Sequence, residues 1–164
     1  METIFREMET SNKNVDDVNT AGLLELVLKY FREREDQMFH KVDQTTLPDE
    51  VDCAGLPITP CIIVCGRSPL TAEYFMLSVD QVIVNSHITI FSDAVKLMFA
   101  SYYCLNISYP ADQGATLEFV QRCLFKINPE KGSKIEKNTS RNQKAVSPKV
   151  LSLFSKIADY EWME

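Results

Sequence analysis

Apolar and polar positions follow one another along this chain in several distinct rhythms. From Thr20 onward, Leu23, Leu24, Val27, Tyr30 and Phe31 recur at offsets of three and four, the spacing that gathers one face of an α-helix. Thr20 or Asn19 can accept a bond from the first unpaired backbone amides, and the alternating charges Arg32 to Asp36 extend the helix as a solvated face that frays before Pro48. Residues 1–19 are polar and lack sustained periodicity, so they read as a disordered acidic tail. The segment 43–60, with Pro48, Gly55, Pro57 and Pro60 among acids, reads as a connecting loop.

The rhythm then shortens. Ile62, Ile63 and Val64, framed by Cys61 and Cys65 and bounded by Pro60 and Gly66, mark a strand buried on both faces. Two further extended runs, Tyr74 to Val79 and Val82 to Val84, predict a hairpin, although Asp80-Gln81 lacks the Asn-Gly or Asp-Gly signal of a two-residue turn. Helical spacing returns over 89–105, where Phe91, Val95, Met98, Phe99, Tyr102 and Tyr103 form a broad apolar face and Ser92-Asp93 can cap. A further helix over 111–128 carries Leu117, Val120, Leu124 and Ile127 as its stripe and ends at Asn128-Pro129. Residues 130–147 are rich in Lys, Ser, Asn and Thr and read as a basic flexible loop. A last helix starts at Ser147-Pro148, with Val150, Leu151, Phe154 and Ile157 on its apolar face.

These elements add up to an α+β fold, a small, mainly antiparallel β-sheet of about three strands packed by three to four α-helices. The core domain occupies 20–129, and the helix within 148–164 docks on it. The chain has 164 residues, 45% hydrophobic and 24% charged, values ordinary for one globular domain with its own core.

No apolar run approaches the ~20 residues of a bilayer span, so no membrane association is expected. Glu2, Arg6, Glu7 and Glu9 stand where a signal peptide needs apolar residues, so the expected location is intracellular, with cytoplasm and nucleus both open. In that reducing setting the five cysteines are expected as free thiols. The net charge of -6 is uneven: residues 1–52 hold 13 acids against 6 bases, and residues 126–149 hold 7 bases against 2 acids. Overall acidity argues against a surface built for phosphate and leaves a local basic contact open.

The most suggestive chemistry lies in Cys65-Gly66-Arg67-Ser68, a thiol, a glycine, a cation and a hydroxyl after a buried strand. A nucleophilic Cys65 would need His87 as its base, with Asp80 or Asp93 to orient the imidazole. The competing reading is structural, a cysteine serving as a small apolar residue before a glycine turn. The loop lacks the second glycine and the Gly-Lys-Ser/Thr ending of a phosphate-binding loop. Zinc on Cys53, Cys61, Cys65 and His87 is disfavoured, because Cys61 and Cys65 stand about 13 Å apart along an extended strand, and no metal or other cofactor is implied. Lys131, Lys134, Lys137, Arg141 and Lys144 recur every three or four residues and could meet nucleic acid or an acidic partner, without an aromatic among them to stack on bases. Phe99, Tyr102, Tyr103 and Tyr109 read as core.

The strings TPCIIVCG (59–66), FMLSVDQVIV (75–84), SYYCLNISYP (101–110), TLEFVQRCLFKINPEKGSKIEK (116–137) and ADYEW (158–162) resemble the C-terminal region of uncharacterised vertebrate proteins, mainly from fish, that are similar to sterile alpha motif domain-containing proteins. The resemblance covers about residues 55–162 and carries over no activity, cofactor or catalytic residue. Sterile alpha motifs are helical association modules, so it implies an intracellular binder or regulator, here as a short paralogue or a fragment. The functional expectation is an intracellular protein-interaction domain with no recognised catalytic constellation. The alternatives are a nucleic-acid-associated protein using 131–149 and a cysteine-dependent enzyme using Cys65.

Overall fold

A computed structural model of the chain describes residues 1–11, 13–127, 134 and 147–161, with side chains in the last helix as far as Ile157. The elements run α1 (Glu2–Thr10), α2 (Val15–Phe31), β1 (Phe39–Val42), β2 (Cys61–Cys65), β3 (Tyr74–Val79), β4 (Val82–Ile88), α3 (Phe91–Cys104), α4 (Gly114–Phe119) and α5 (Pro148–Glu161). The fold is α+β, and its sheet has four strands in the order β1-β2-β3-β4, one more than the periodicity predicts. β1 runs parallel to β2, while β2–β3 and β3–β4 are antiparallel.

The N-terminal segment departs most from the reading of a disordered tail. Glu2–Thr10 is helical, with Ile4 buried, and α2 begins at Val15, where Asn14 accepts from the Asp16 amide at 2.9 Å. Isolated, a helix as short as α1 is marginal, so its stability comes from packing Ile4 and Met8 against the core. Gly22 of α2 leaves room for the Met8 thioether at this contact.

α2 stops at Phe31, short of the charged run. Arg32 turns left-handed at φ 58, and the Arg32 and Glu33 amides return to the Lys29 and Leu28 carbonyls, a Schellman close. The charges that resemble a helical face therefore lie in an irregular link, and β1 follows them unannounced. A parallel strand needs a long crossover, and 43–60 supplies it with two short 3-10 turns, Pro48–Glu50 and Cys53–Gly55.

β2 is buried along its whole length and splits its side chains between two layers. Ile62 and Val64 face the helices with Phe39, Phe75, Leu77, Phe91, Met98 and Tyr102. Cys61, Ile63 and Cys65 face the crossover with Met76, Val51 and Leu56. The hairpin works without a glycine because Asp80 and Gln81 both take positive φ, 53 and 60. Tertiary bonds hold this primed turn: the Asp80 amide donates to Ile58 O at 2.8 Å, and Gln81 Nε2 donates to Ala54 O and Leu56 O at 3.0 and 2.9 Å.

α3 covers the sheet, with Phe91 against Phe39 and Phe75 at ring separations of 5.7 and 5.2 Å. Its first amides are capped from a distance rather than by Ser92 or Asp93. The Asp17 carboxylate of α2 accepts from Phe91 N and Ser92 N at 3.1 and 3.0 Å. The helix expected over 111–128 begins at Gly114 and widens into a π-turn over Val120–Leu124, and it packs on α2 and α5 more than on the sheet. Glu33 caps it in the same manner, accepting from Ala115 N and Thr116 N at 2.8 Å each. Val150 of α5 is fully buried in a cluster with Val27 and Phe119. The basic stretch 130–147 lies outside the described residues apart from Lys134 and Ser147, and Trp162 also lies outside them.

Candidate functional site

The parallel pair β1 and β2 ends in register at Val42 and Cys65. Between them opens a cleft of about 600 Å³, lined by Lys41, Asp43, Gln44, Gly66, Arg67 and Thr71. Gly66 is part of its lining, donating to Val42 O at 2.9 Å with a φ of 148 that side chains rarely allow. A Cβ there would lie 3.1 Å from Ala72 Cα, so the loop closes tightly on itself.

The loop after Gly66 is fastened from several sides. Ser68 O accepts from Thr71 N and Ala72 N at 3.1 and 2.9 Å, and Ser68 Oγ donates to Glu7 of α1 at 2.9 Å. Ser11 Oγ donates to Leu70 O at 3.2 Å, and Lys13 Nζ donates to Pro69 O and Ala72 O. Burial pushes the Lys13 ammonium below its ordinary range, against the raising effect of Asp17 and Glu73. The segment read as a tail is thus the clamp that shapes this loop.

The charges around the cleft are unequal. Lys41 Nζ pairs with Glu35 at 2.7 Å, whereas the exposed Arg67 guanidinium has no partner among the described residues. Behind Lys41, Glu25 of α2 is only 6% exposed. Burial first, then the nearby Glu35 charge, pushes its carboxyl up to about 7. Glu25 was missed in the sequence although a signal was there: Ala21, Glu25 and Leu28 share the inward face at offsets of four and three.

The thiol–imidazole pair does not assemble. Cys65 is buried on the crossover side, where desolvation raises its thiol pKa and so disfavours the nucleophilic thiolate. Its cross-strand neighbour is Tyr74, and the His87 ring lies beyond that, 5.4 Å from the Tyr74 ring. Asp80 occupies the hairpin turn at the far end of β3 from Tyr74, and Asp93 pairs with Lys96 at 2.8 Å, so neither orients His87. Burial likewise lifts the Cys61 thiol to about 12. Among the described residues no three Cys, His, Asp or Glu side chains converge as a metal site.

Of the five bases proposed for nucleic acid, Lys134 is described, and it is engaged inside the fold. Its Nζ donates to Tyr102 O near the end of α3 at 2.6 Å and lies 4.3 Å from the centre of the Tyr103 ring. Its carbonyl accepts from Tyr109 N at 2.7 Å. A cation on the last turn of a helix complements the dipole and satisfies carbonyls the helix leaves open. Lys131, Lys137, Arg141 and Lys144 lie outside the described residues.

The sheet's second surface feature is its β4 edge. β4 has seven residues, is the last strand in the sheet order and carries no Lys, Arg, Asp or Glu. Val82 and Val84 are 58% and 57% exposed. Natural edges are commonly blunted by charge, proline or a bulge, and β4 has only the irregular register opposite Leu77 and Ser78.

Comparison with protein-family models, curated proteins and solved structures gives no match, so the reading of the site rests on its geometry. No helix among the described residues is long and apolar enough to cross a membrane.

Proposed function

We propose that this chain is a protein-interaction domain acting inside the cell, and that β4 receives an extended segment of a partner protein as a fifth strand. The observation that carries the reading is the uncharged β4 edge, on which Val82 and Val84 are more than half exposed. Strand addition takes its affinity from main-chain hydrogen bonds and its specificity from alternating side chains, and exposed Val82 and Val84 supply that alternation on β4. A preformed sheet loses little freedom on accepting such a strand. Raising the Cys65 thiol pKa removes support from the cysteine-enzyme alternative, and the engagement of Lys134 weakens the nucleic-acid one. The resemblance to proteins similar to sterile alpha motif proteins agrees with an association role.

A random peptide library displayed on phage provides the test. Selected peptides should alternate apolar and polar residues and slow amide exchange along β4. They should bind the Val82→Lys, Val84→Lys double variant at least roughly tenfold more weakly while its melting temperature stays near the parent's. Failure to enrich any peptide, or enrichment of peptides indifferent to that variant, would overturn the reading.

A further inference from the structure

The geometry points to a second binding site, the cleft at the ends of β1 and β2, with Arg67 as the group that receives a small ligand bearing a carboxylate or phosphate. Three observations lead there, each independent of the β4 reading. The first is the shape of the chain. The cleft lies at the carboxyl ends of the parallel pair β1 and β2, the end of the strands at which open parallel sheets take their ligands. At about 600 Å³ the crevice has the size of small-molecule sites.

The second is the rigidity of its wall. Gly66 in its restricted conformation, the Ser68 carbonyl with its two amide donors, and the anchors from Glu7, Ser11 and Lys13 hold the loop before any ligand arrives. A loop held this firmly needs little ordering on binding, which favours affinity from few contacts. No described residue accepts from the Arg67 backbone amide, which belongs to a residue lining the cleft.

The third is the charge left over. Among the described residues Arg67 has no counter-ion, while Lys41 is oriented by Glu35. A guanidinium presents paired donors that match the two oxygens of a carboxylate or phosphate, and such bonds are stronger than neutral ones. Gln44 and Asp43 add an amide and an acceptor for the remainder of the ligand, while the Thr71 hydroxyl is bonded to Ser68, so a hydroxyl- or amine-bearing organic anion fits better than a bare ion. The whole chain is acidic at -6, so anions are not drawn to it generally and binding must come from the local site.

Titration of the full chain with inorganic phosphate and, separately, with malate, followed by amide chemical shifts, tests this. Saturable shifts at residues 41–44 and 66–71 are expected with at least one probe, and the responding probe identifies the anion class. Arg67→Gln should weaken that binding roughly tenfold or more, and Lys156→Gln, a charge change on exposed α5, should leave it unchanged. Both variants alter exposed side chains, and matching melting temperatures would verify folding. Shifts that never saturate, or that survive in Arg67→Gln, would overturn the site, whatever becomes of the β4 strand-addition reading.

Discussion

One face of the sheet lies under helices and the other under a crossover with only short 3-10 turns, and each cover is fastened by different groups. On the helical side the fastenings are carboxylates placed inside the protein, Asp17 on the start of α3 and Glu33 on the start of α4, and a third carboxyl, Glu25, lies buried on α2. On the crossover side the bonds to the sheet come from neutral donors, and the Glu50 carboxylate caps its own 3-10 turn at Leu47 N, 2.8 Å. Tyr74 Oη donates to Gln44 O and Thr46 O at 2.8 and 3.1 Å, and Gln81 holds Ala54 O and Leu56 O. The helical cover therefore holds carboxyls raised by burial, Glu25 and Glu33. Burial also lifts Glu33 above its ordinary range, opposed by its bonds to Thr116 and Ala115, so the same carboxylate that caps α4 carries a desolvation cost.

The largest effect should come from the helical face. Val64 is fully buried there, and Val64→Asp would bury an unpaired charge at a cost of about 3 kcal/mol or more. Urea unfolding measures it, and a variant as stable as the parent would show that this face is not the main core.

Glu25 tests the helical cover by pH. Its folded pKa is raised from the ordinary 4.5 to about 7, so between those values the folded state holds a proton the unfolded state has released. Stability must fall as pH rises through that window and level off above it. Glu25→Gln removes the loss: the variant should match the parent near the lower value and exceed it by about 2 kcal/mol above the upper one, allowing for solvent screening. A stability difference independent of pH would place the titration elsewhere.

The smallest effects compare one fastening from each side. Asp17→Ala removes a charged cap shared by two buried-end amides and should cost about 1–2 kcal/mol. Tyr74→Phe removes a neutral hydroxyl near solvent and should cost about 0.5–1 kcal/mol. Thermal unfolding of both variants checks the order, and a larger loss from Tyr74→Phe would reverse the contrast.

Much of the fold is legible from side-chain period alone. The CIIVC run is a strand because β-branched residues between proline and glycine have little alternative, and α3 is a helix because Phe91, Val95, Met98 and Tyr102 must share one buried face. β1 is not legible, since four residues of FHKV offer too short an alternation to outweigh the charges before them. The candidate site divides the same way. The loop Gly66–Arg67–Ser68 is visible as a strand exit, but its partner wall at Lys41 and Asp43 depends on β1 pairing parallel to β2.

What local pattern settles in this protein is where the apolar faces lie, because burial of those faces follows from periods of two and 3.6 whatever the neighbours are. What folding in three dimensions settles is where the polar groups go. Asp17 finds the start of α3 across 74 positions, Glu33 finds Ala115 across 82, and Lys134 closes on Tyr102 across 32. Each is an unpaired backbone group meeting a charge that no local spacing relates to it. Such pairs form because a helix end brought into the interior loses water and needs a partner, and only the packed arrangement of elements decides which side chain stands close enough to be one.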